Sequence, residues 1–136
     1  MKRKFVIDTS VYINFSRYNK VHRLITAIAK NNLYVYVNRQ LITELEKNIP
    51  LILKDAVVNP QIIIETIKLA TFYFETVETF KGCPDPKDDF LFDLALQTGS
   101  EVIVSEEKAL LNWQNSSVPV HNIKWFKEQF FMDIPL

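Results

Sequence analysis

Glycine is almost missing from this chain: Gly82 and Gly99 are the only two in 136 residues, and they stand apart. A phosphate-cradling loop or a dinucleotide-binding fingerprint needs clustered glycines, so both are excluded. Cysteine is scarcer still. Cys83 stands alone, which rules out an intrachain disulfide and a cysteine-based zinc site and suits a reducing compartment. The two histidines, His22 and His121, show no metal-ligand spacing and read as surface or packing residues. HExxH, GxSxG and Cys/His arrangements are absent. Charge of one sign is also lacking: sixteen basic and sixteen acidic side chains cancel, so any contact with nucleic acid must come from a local patch. No apolar run approaches a membrane span, and the basic lead Lys2-Arg3-Lys4 precedes only three apolar residues, too few for a signal-peptide core. These absences predict a cytoplasmic protein with no membrane contact, and they leave carboxylate as the only abundant catalytic material.

What is present is an alternation of short apolar strands and helices. With 48% hydrophobic residues, the length predicts one domain over 1–136. Phe5-Val6-Ile7 is too short for a helix and reads as a buried strand that stops at Asp8. Asp8 is either a turn or capping residue or the start of a site. Thr9 and Ser10 are placed to cap a following helix. A helix starts over Val11 to Phe15, and 21, 24, 25, 28 and 29 continue it as an amphipathic face up to Asn31-Asn32. Leu33 to Val37 is the second strand, parallel to the first through a right-handed crossover. Gln40 to Lys47 is the next helix. Residues 50–75 read as helical with no strand, with Pro50 and Pro60 near helix starts and Asn59 as an N-cap. The aromatic cluster Phe72-Tyr73-Phe74 extends that apolar stripe as core or dimer surface. Thr76 to Phe80 alternates and predicts a third, edge strand. A turn-rich loop leads to a helix from about Asp88 to Thr98, closed by Gly99. Val102-Ile103-Val104 is a central-type strand, a short helix runs through Trp113, 118–120 is an edge strand weakened by Pro119, and Ile123 to Phe131 is a final helix. The pattern is that of an α/β fold with a parallel sheet.

Four acidic residues fall where this topology gathers side chains: Asp8 after the first strand, Glu44 in the helix after the second, Asp88 opening the helix before the fourth, and Glu107 after that strand. Strand ends of a parallel sheet share one edge, and a switch in strand order opens a crevice there. Carboxylates about 4–5 Å apart repel by a few kcal/mol at an effective dielectric near 20, so such a group persists only if protonated or neutralised by a cation. Hard oxygen donors suit Mg2+ or Mn2+, and that chemistry points to hydrolysis of a phosphodiester. Glu46, Asp55, Glu65, Glu75, Glu78, Glu101 and Glu128 read as solvated charges, and Asp93, five residues beyond Asp88, reads as structural.

Four segments, Phe5-Val6-Ile7-Asp8-Thr9-Ser10, Leu41-Ile42-Thr43-Glu44-Leu45, Asp85-Pro86-Lys87-Asp88-Asp89 through Gly99, and Val102 to Lys108, occur together in an order and at a spacing that resembles the PIN-domain nucleases, particularly the small toxin-like, VapC-type members. The resemblance implies a three-layer α/β/α sandwich with a short parallel sheet and a single-metal or two-metal ribonuclease site. It implies that Asp8, Glu44, Asp88 and Glu107 are the catalytic and metal-binding residues, with Asp85 and Asp89 close competitors for the third position. Ser10 and Ser105, with Asp85 and Asp89, would support the ligands from behind. The implied partners are RNA, an antitoxin protein and a second copy of the chain in a homodimer. Two departures stand out: the fourth position is usually Asp in a Thr-Gly-Asp-like turn but is Glu107 here, and Ala109 replaces a further aspartate. They motivate a second reading, an inactive PIN-like module that binds RNA or a protein. A third reading, a phosphatase or receiver-type domain with Asp8 as phosphoryl acceptor, is disfavoured by Ser10, where such a phosphatase needs Asp. Arg39, Lys87 and Lys108 are the candidate RNA contacts.

Overall fold

The computed structural model describes residues 2–134. Its sheet is built from β1 (Arg3–Ile7), β2 (Leu33–Val37), β3 (Phe72–Tyr73), β4 (Val102–Val104) and β5 (Val120–His121). All four pairings are parallel, and the spatial order is β3-β2-β1-β4-β5. The chain therefore winds one way from β1 to β3, then crosses back to β4 beside β1. Right-handed crossovers in the two directions put their helices on opposite faces, giving three layers and a switch point between β1 and β4. Phe5, Val6 and Ile7 are wholly buried on both faces, as a central parallel strand requires.

The helices are α1 (Thr9–Arg17), α2 (Val21–Lys30), α3 (Arg39–Ile52), α4 (Pro60–Ala70), α5 (Asp89–Thr98), α6 (Lys108–Leu111) and α7 (Ile123–Phe130). On one face Phe5 meets Trp125, Phe126 and Phe130 of α7, with ring centroids 5.4–6.2 Å apart. On the other, Phe92 of α5 stacks on Phe80 and meets Trp113 edge-on. His121 stacks on Trp125 at 4.1 Å, a packing histidine. Asn38 caps α3 by accepting from the Leu41 amide, and Asn59 caps α4 ahead of Pro60. Gly99 ends α5 in the left-handed conformation, φ 71°. Among the described residues, no helix is long and apolar enough to cross a membrane.

Several sequence expectations are corrected. The first crossover is two helices, because the chain turns at Asn19, whose φ of 54° no helix interior tolerates. Pro50 lies inside the last turns of α3 instead of starting a helix; burial of Ile49 and Leu53 carries the helix past it. The strand expected over 76–80 is absent, and β3 lies instead at Phe72–Tyr73, within the stretch read as helical. There Phe72 is half exposed and packs on Tyr34 and Tyr36 of β2. Residues 77–80 are tied to side chains of α5. Gln97 accepts from the Val77 amide and donates to its carbonyl, and Asp93 Oδ1 accepts from the Thr79 and Phe80 amides and the Thr79 hydroxyl. The last strand is shifted to 120–121, and Pro119, which has no N–H, contributes its carbonyl to Ile103.

Candidate active site at the carboxyl edge of the sheet

Asp8 is the residue at which β1 becomes α1. Its amide still donates to Val104 of β4 at 2.8 Å, so the two central strands remain joined up to the switch point. It occupies the N-cap position, but its side chain does not cap the helix. Instead Oδ2 accepts from the hydroxyls of Ser10 and Ser105, both at 2.9 Å. Each serine in turn accepts a backbone N–H of the β4–α6 turn: Glu106 donates to Ser10 at 3.1 Å and Glu107 to Ser105 at 3.0 Å. Two hydroxyls thus couple the carboxylate of β1 to the turn that carries Glu107. Burial pushes the Asp8 carboxyl above its ordinary value, opposed by the two serines and by the nearby Thr9 and Ser10 amides.

Glu44 reaches the same region from α3, half-buried. Thr9 Oγ1 donates to its Oε1 at 2.8 Å, so the hydroxyl expected to cap a helix fixes a carboxylate. Burial raises the Glu44 carboxyl, Thr9 lowers it, and the charges of Asp8 and Glu107 raise it further.

Asp88 ends the 3-10 turn Pro86–Asp88 ahead of α5. Its Oδ2 is buried without a hydrogen-bond partner. Burial, then Glu107, Asp8, Asp85 and Glu44, push this carboxyl up from 3.8 to about 7. The residues from four separate segments therefore share one electrostatic neighbourhood. Glu107 itself is exposed at the N-cap of α6. The two competitors are differently engaged: Asp89 Oδ1 accepts the Cys83 amide and Asp85 Oδ1 the Lys87 amide, both at 3.0 Å. Two further residues belong to this region. Thr9 holds Glu44, and Tyr12, wholly buried with its hydroxyl unpartnered, is pushed upward by burial and by Asp8. Tyr12 stands one helical turn beyond Asp8, and that i, i+4 spacing was its only signal in the sequence.

The donors are all hard oxygens, one of them buried and unsatisfied, which is what Mg2+ or Mn2+ takes. No ion pair among the described residues neutralises them; the pairs present join Arg3 to Glu101, Arg39 to Glu75, and Lys68 to Glu46 and Glu65. Yet among the described residues no three His, Cys, Asp or Glu side chains are arranged to hold an ion as they stand. The carboxylates share a field without forming a closed ligand shell. Arg39 and Lys87 line a cleft with Glu44, whereas Lys108 begins α6 next to Glu107 and lies outside that cleft.

Fold and crevice together define an α/β domain with an acidic cluster at the switch point of a parallel sheet. The chain belongs to the PIN domain family, whose model it matches over residues 4–109. The family's fold is generally that of nucleases. Among solved structures it is similar to the PIN domain endonuclease Utp24, at 17% identity with a TM-score of 0.51, covering 88% of this chain and 84% of that one. It is similar also to PAE2754 from Pyrobaculum aerophilum, at 10% identity with a TM-score of 0.53, covering 93% and 88%. At such identities the likeness is one of fold. A search of curated proteins finds no match.

Proposed function

We propose that the protein is a Mg2+- or Mn2+-dependent endoribonuclease whose site is made by Asp8, Glu44, Asp88 and Glu107. The observation that carries this reading is the buried, unpartnered Asp88 Oδ2, which feels four other carboxylates, Glu107, Asp8, Asp85 and Glu44, with no lysine or arginine ion-paired to any of them among the described residues. An oxygen in that position needs a proton or a cation.

A divalent ion bound there supplies Lewis acidity toward a phosphoryl oxygen and toward the attacking water. The chain's own groups do the rest. Ser10 and Ser105 fix one oxygen of Asp8 and leave the other for the ligand. Thr9 orients Glu44 so that its second oxygen can position or deprotonate the water. Asp88, its carboxyl pushed up to about 7, would take either a proton or the cation near neutrality. Glu107, exposed at the N-cap of α6, would be the fourth carboxylate to hold the ion. Asp85 and Asp89 hold the backbone that carries Asp88.

On this reading residues 1–136 act as one PIN-like domain in the cytoplasm, as the VapC-type toxin of a toxin–antitoxin pair, with a homodimer and an antitoxin as protein partners. One observation favours a second reading, a catalytically weak module that binds RNA or protein: no three side chains form a ready ligand set among the described residues. Cleavage of single-stranded RNA, measured with and without Mn2+ for the wild type, Asp8→Asn and Asp88→Asn, separates the two. Mn2+-dependent cleavage lost in both variants is expected. RNA binding without cleavage at any Mn2+ concentration would leave only the binding module.

A further inference from the structure

Beside Glu44, the first turns of α3 and the start of α5 enclose an open cleft of about 430 Å3 lined by Arg39, Gln40, Thr43, Glu44, Lys87 and Phe90. That volume falls within the range of small-ligand pockets, roughly 300–1,000 Å3. Phe90 is half-buried and anchored against the core, so an apolar aromatic residue is held in place at the cleft wall. Gln40 and Thr43 contribute an amide and a hydroxyl. Arg39 and Lys87 are exposed and cationic. Neither is spent on the carboxylates: Arg39 has a loose 3.9 Å contact with exposed Glu75, and Lys87 makes no ion pair among the described residues. Two cations standing beside an acidic crevice without neutralising it are placed for an anion that arrives from outside. Glu44 is the shared wall, facing the cleft while feeling the charges of Asp8 and Glu107.

A ligand matching that wall carries a flat ring with hydrogen-bonding edges, a negative charge next to it, and a continuation toward the carboxylates. An unpaired nucleotide within a strand has all three, whereas in a duplex the base is stacked and paired and cannot enter. We propose that this cleft is a nucleotide subsite, taking one unpaired base of single-stranded RNA against Phe90, reading its edge through Gln40 and Thr43, and holding the adjoining phosphate with Arg39 and Lys87. The identity of the polymer rests on the nuclease reading above. The subsite adds a consequence of its own: base preference is confined to one position at a fixed offset from the phosphodiester lying at the carboxylates.

The test is binding of a short fluorescein-labelled single-stranded RNA, followed by anisotropy in EDTA so that nothing is cut. An abasic residue is moved along the strand one position at a time. One position is expected to weaken binding by the wild type about tenfold, within the range of base–aromatic stacking. The same substitution should change nothing for Phe90→Leu, which keeps the apolar packing but removes the ring. Arg39→Ala and Lys87→Ala should each make binding less dependent on salt. A flat abasic series, or Phe90→Leu binding as tightly as the wild type, would overturn the subsite. If the wild type cleaves RNA while the series is flat, the subsite fails and the nuclease stands. If the single-position pattern is present but no metal supports cleavage, the subsite stands and the nuclease fails.

Discussion

Asp88, Asp89 and Asp93 lie within six residues of one another, yet they meet opposite environments. Asp93 is buried, and one of its oxygens collects three donors from 79–80. Asp89 collects the Cys83 amide. Asp88, between Asp89 and the loop, has a buried oxygen that collects nothing and faces other carboxylates. The difference lies in the donors. Where the protein supplies N–H and O–H groups, an aspartate is a fastener that replaces a missing strand partner. Where it withholds them, a buried carboxyl oxygen is left without a hydrogen-bond partner.

Activity separates the two kinds of aspartate most widely. Asp8→Asn and Asp88→Asn should lower Mn2+-dependent RNA cleavage on the order of a hundredfold or more, since each replaces a charged oxygen donor by a neutral amide of the same shape, a poor ligand for a hard cation. Asp93→Ala should instead act on stability, costing about 2–4 kcal/mol in urea unfolding, because it leaves two amides and a hydroxyl without their acceptor. Its residual folded fraction should bind Mn2+ as the wild type does. If Asp93→Ala abolished cleavage with unchanged stability, the division between fasteners and ligands would be wrong.

The stability of the metal-free protein depends on pH through the unpartnered carboxyl. Asp88 has a folded value raised from 3.8 to about 7, so the stability associated with its protonated form is complete below about pH 4 and lost as pH rises through 7. Asp8 and Glu44 are raised as well and act in the same direction. Metal-free protein should therefore unfold more easily at pH 8 than at pH 5. Asp88→Asn should recover about 1–2 kcal/mol at pH 8, a figure reduced for solvent screening of a half-exposed group. Mn2+ should also restore the wild type's melting temperature at pH 8 but do little for Asp88→Asn. A smaller effect is expected of Thr9→Val, which removes the hydroxyl bonded to Glu44: cleavage about fivefold to tenfold slower, with stability changed by no more than about 1 kcal/mol.

Much of the fold was legible because its signals are local. Phe5-Val6-Ile7 and Val102-Ile103-Val104 are continuous apolar runs, and Gly99 and Asn59 are terminators that act within a turn. The edge strand was not. Thr76 to Phe80 alternates like a strand, but Gln97 and Asp93 of α5 bind its backbone, while Phe72–Tyr73 forms β3 because Tyr36 and Val37 of β2 stand ready to pair. Neither fact resides in the segment concerned. The candidate site divides in the same way. Position at strand ends pointed to Asp8 and Glu107, but no pattern in the chain says that Thr9 bonds Glu44 across 35 residues, or that one oxygen of Asp88 has no donor.

Anomalous diffraction from crystals grown or soaked with Mn2+ near pH 7.5 reads directly whether Asp88 Oδ2 takes a cation. A manganese peak in contact with Asp88 Oδ2 and with Asp8, with Glu107 turned inward, is the predicted result. Diffraction showing Asp88 protonated and hydrogen-bonded within the protein, with no manganese in the crevice at saturating concentration, would contradict it.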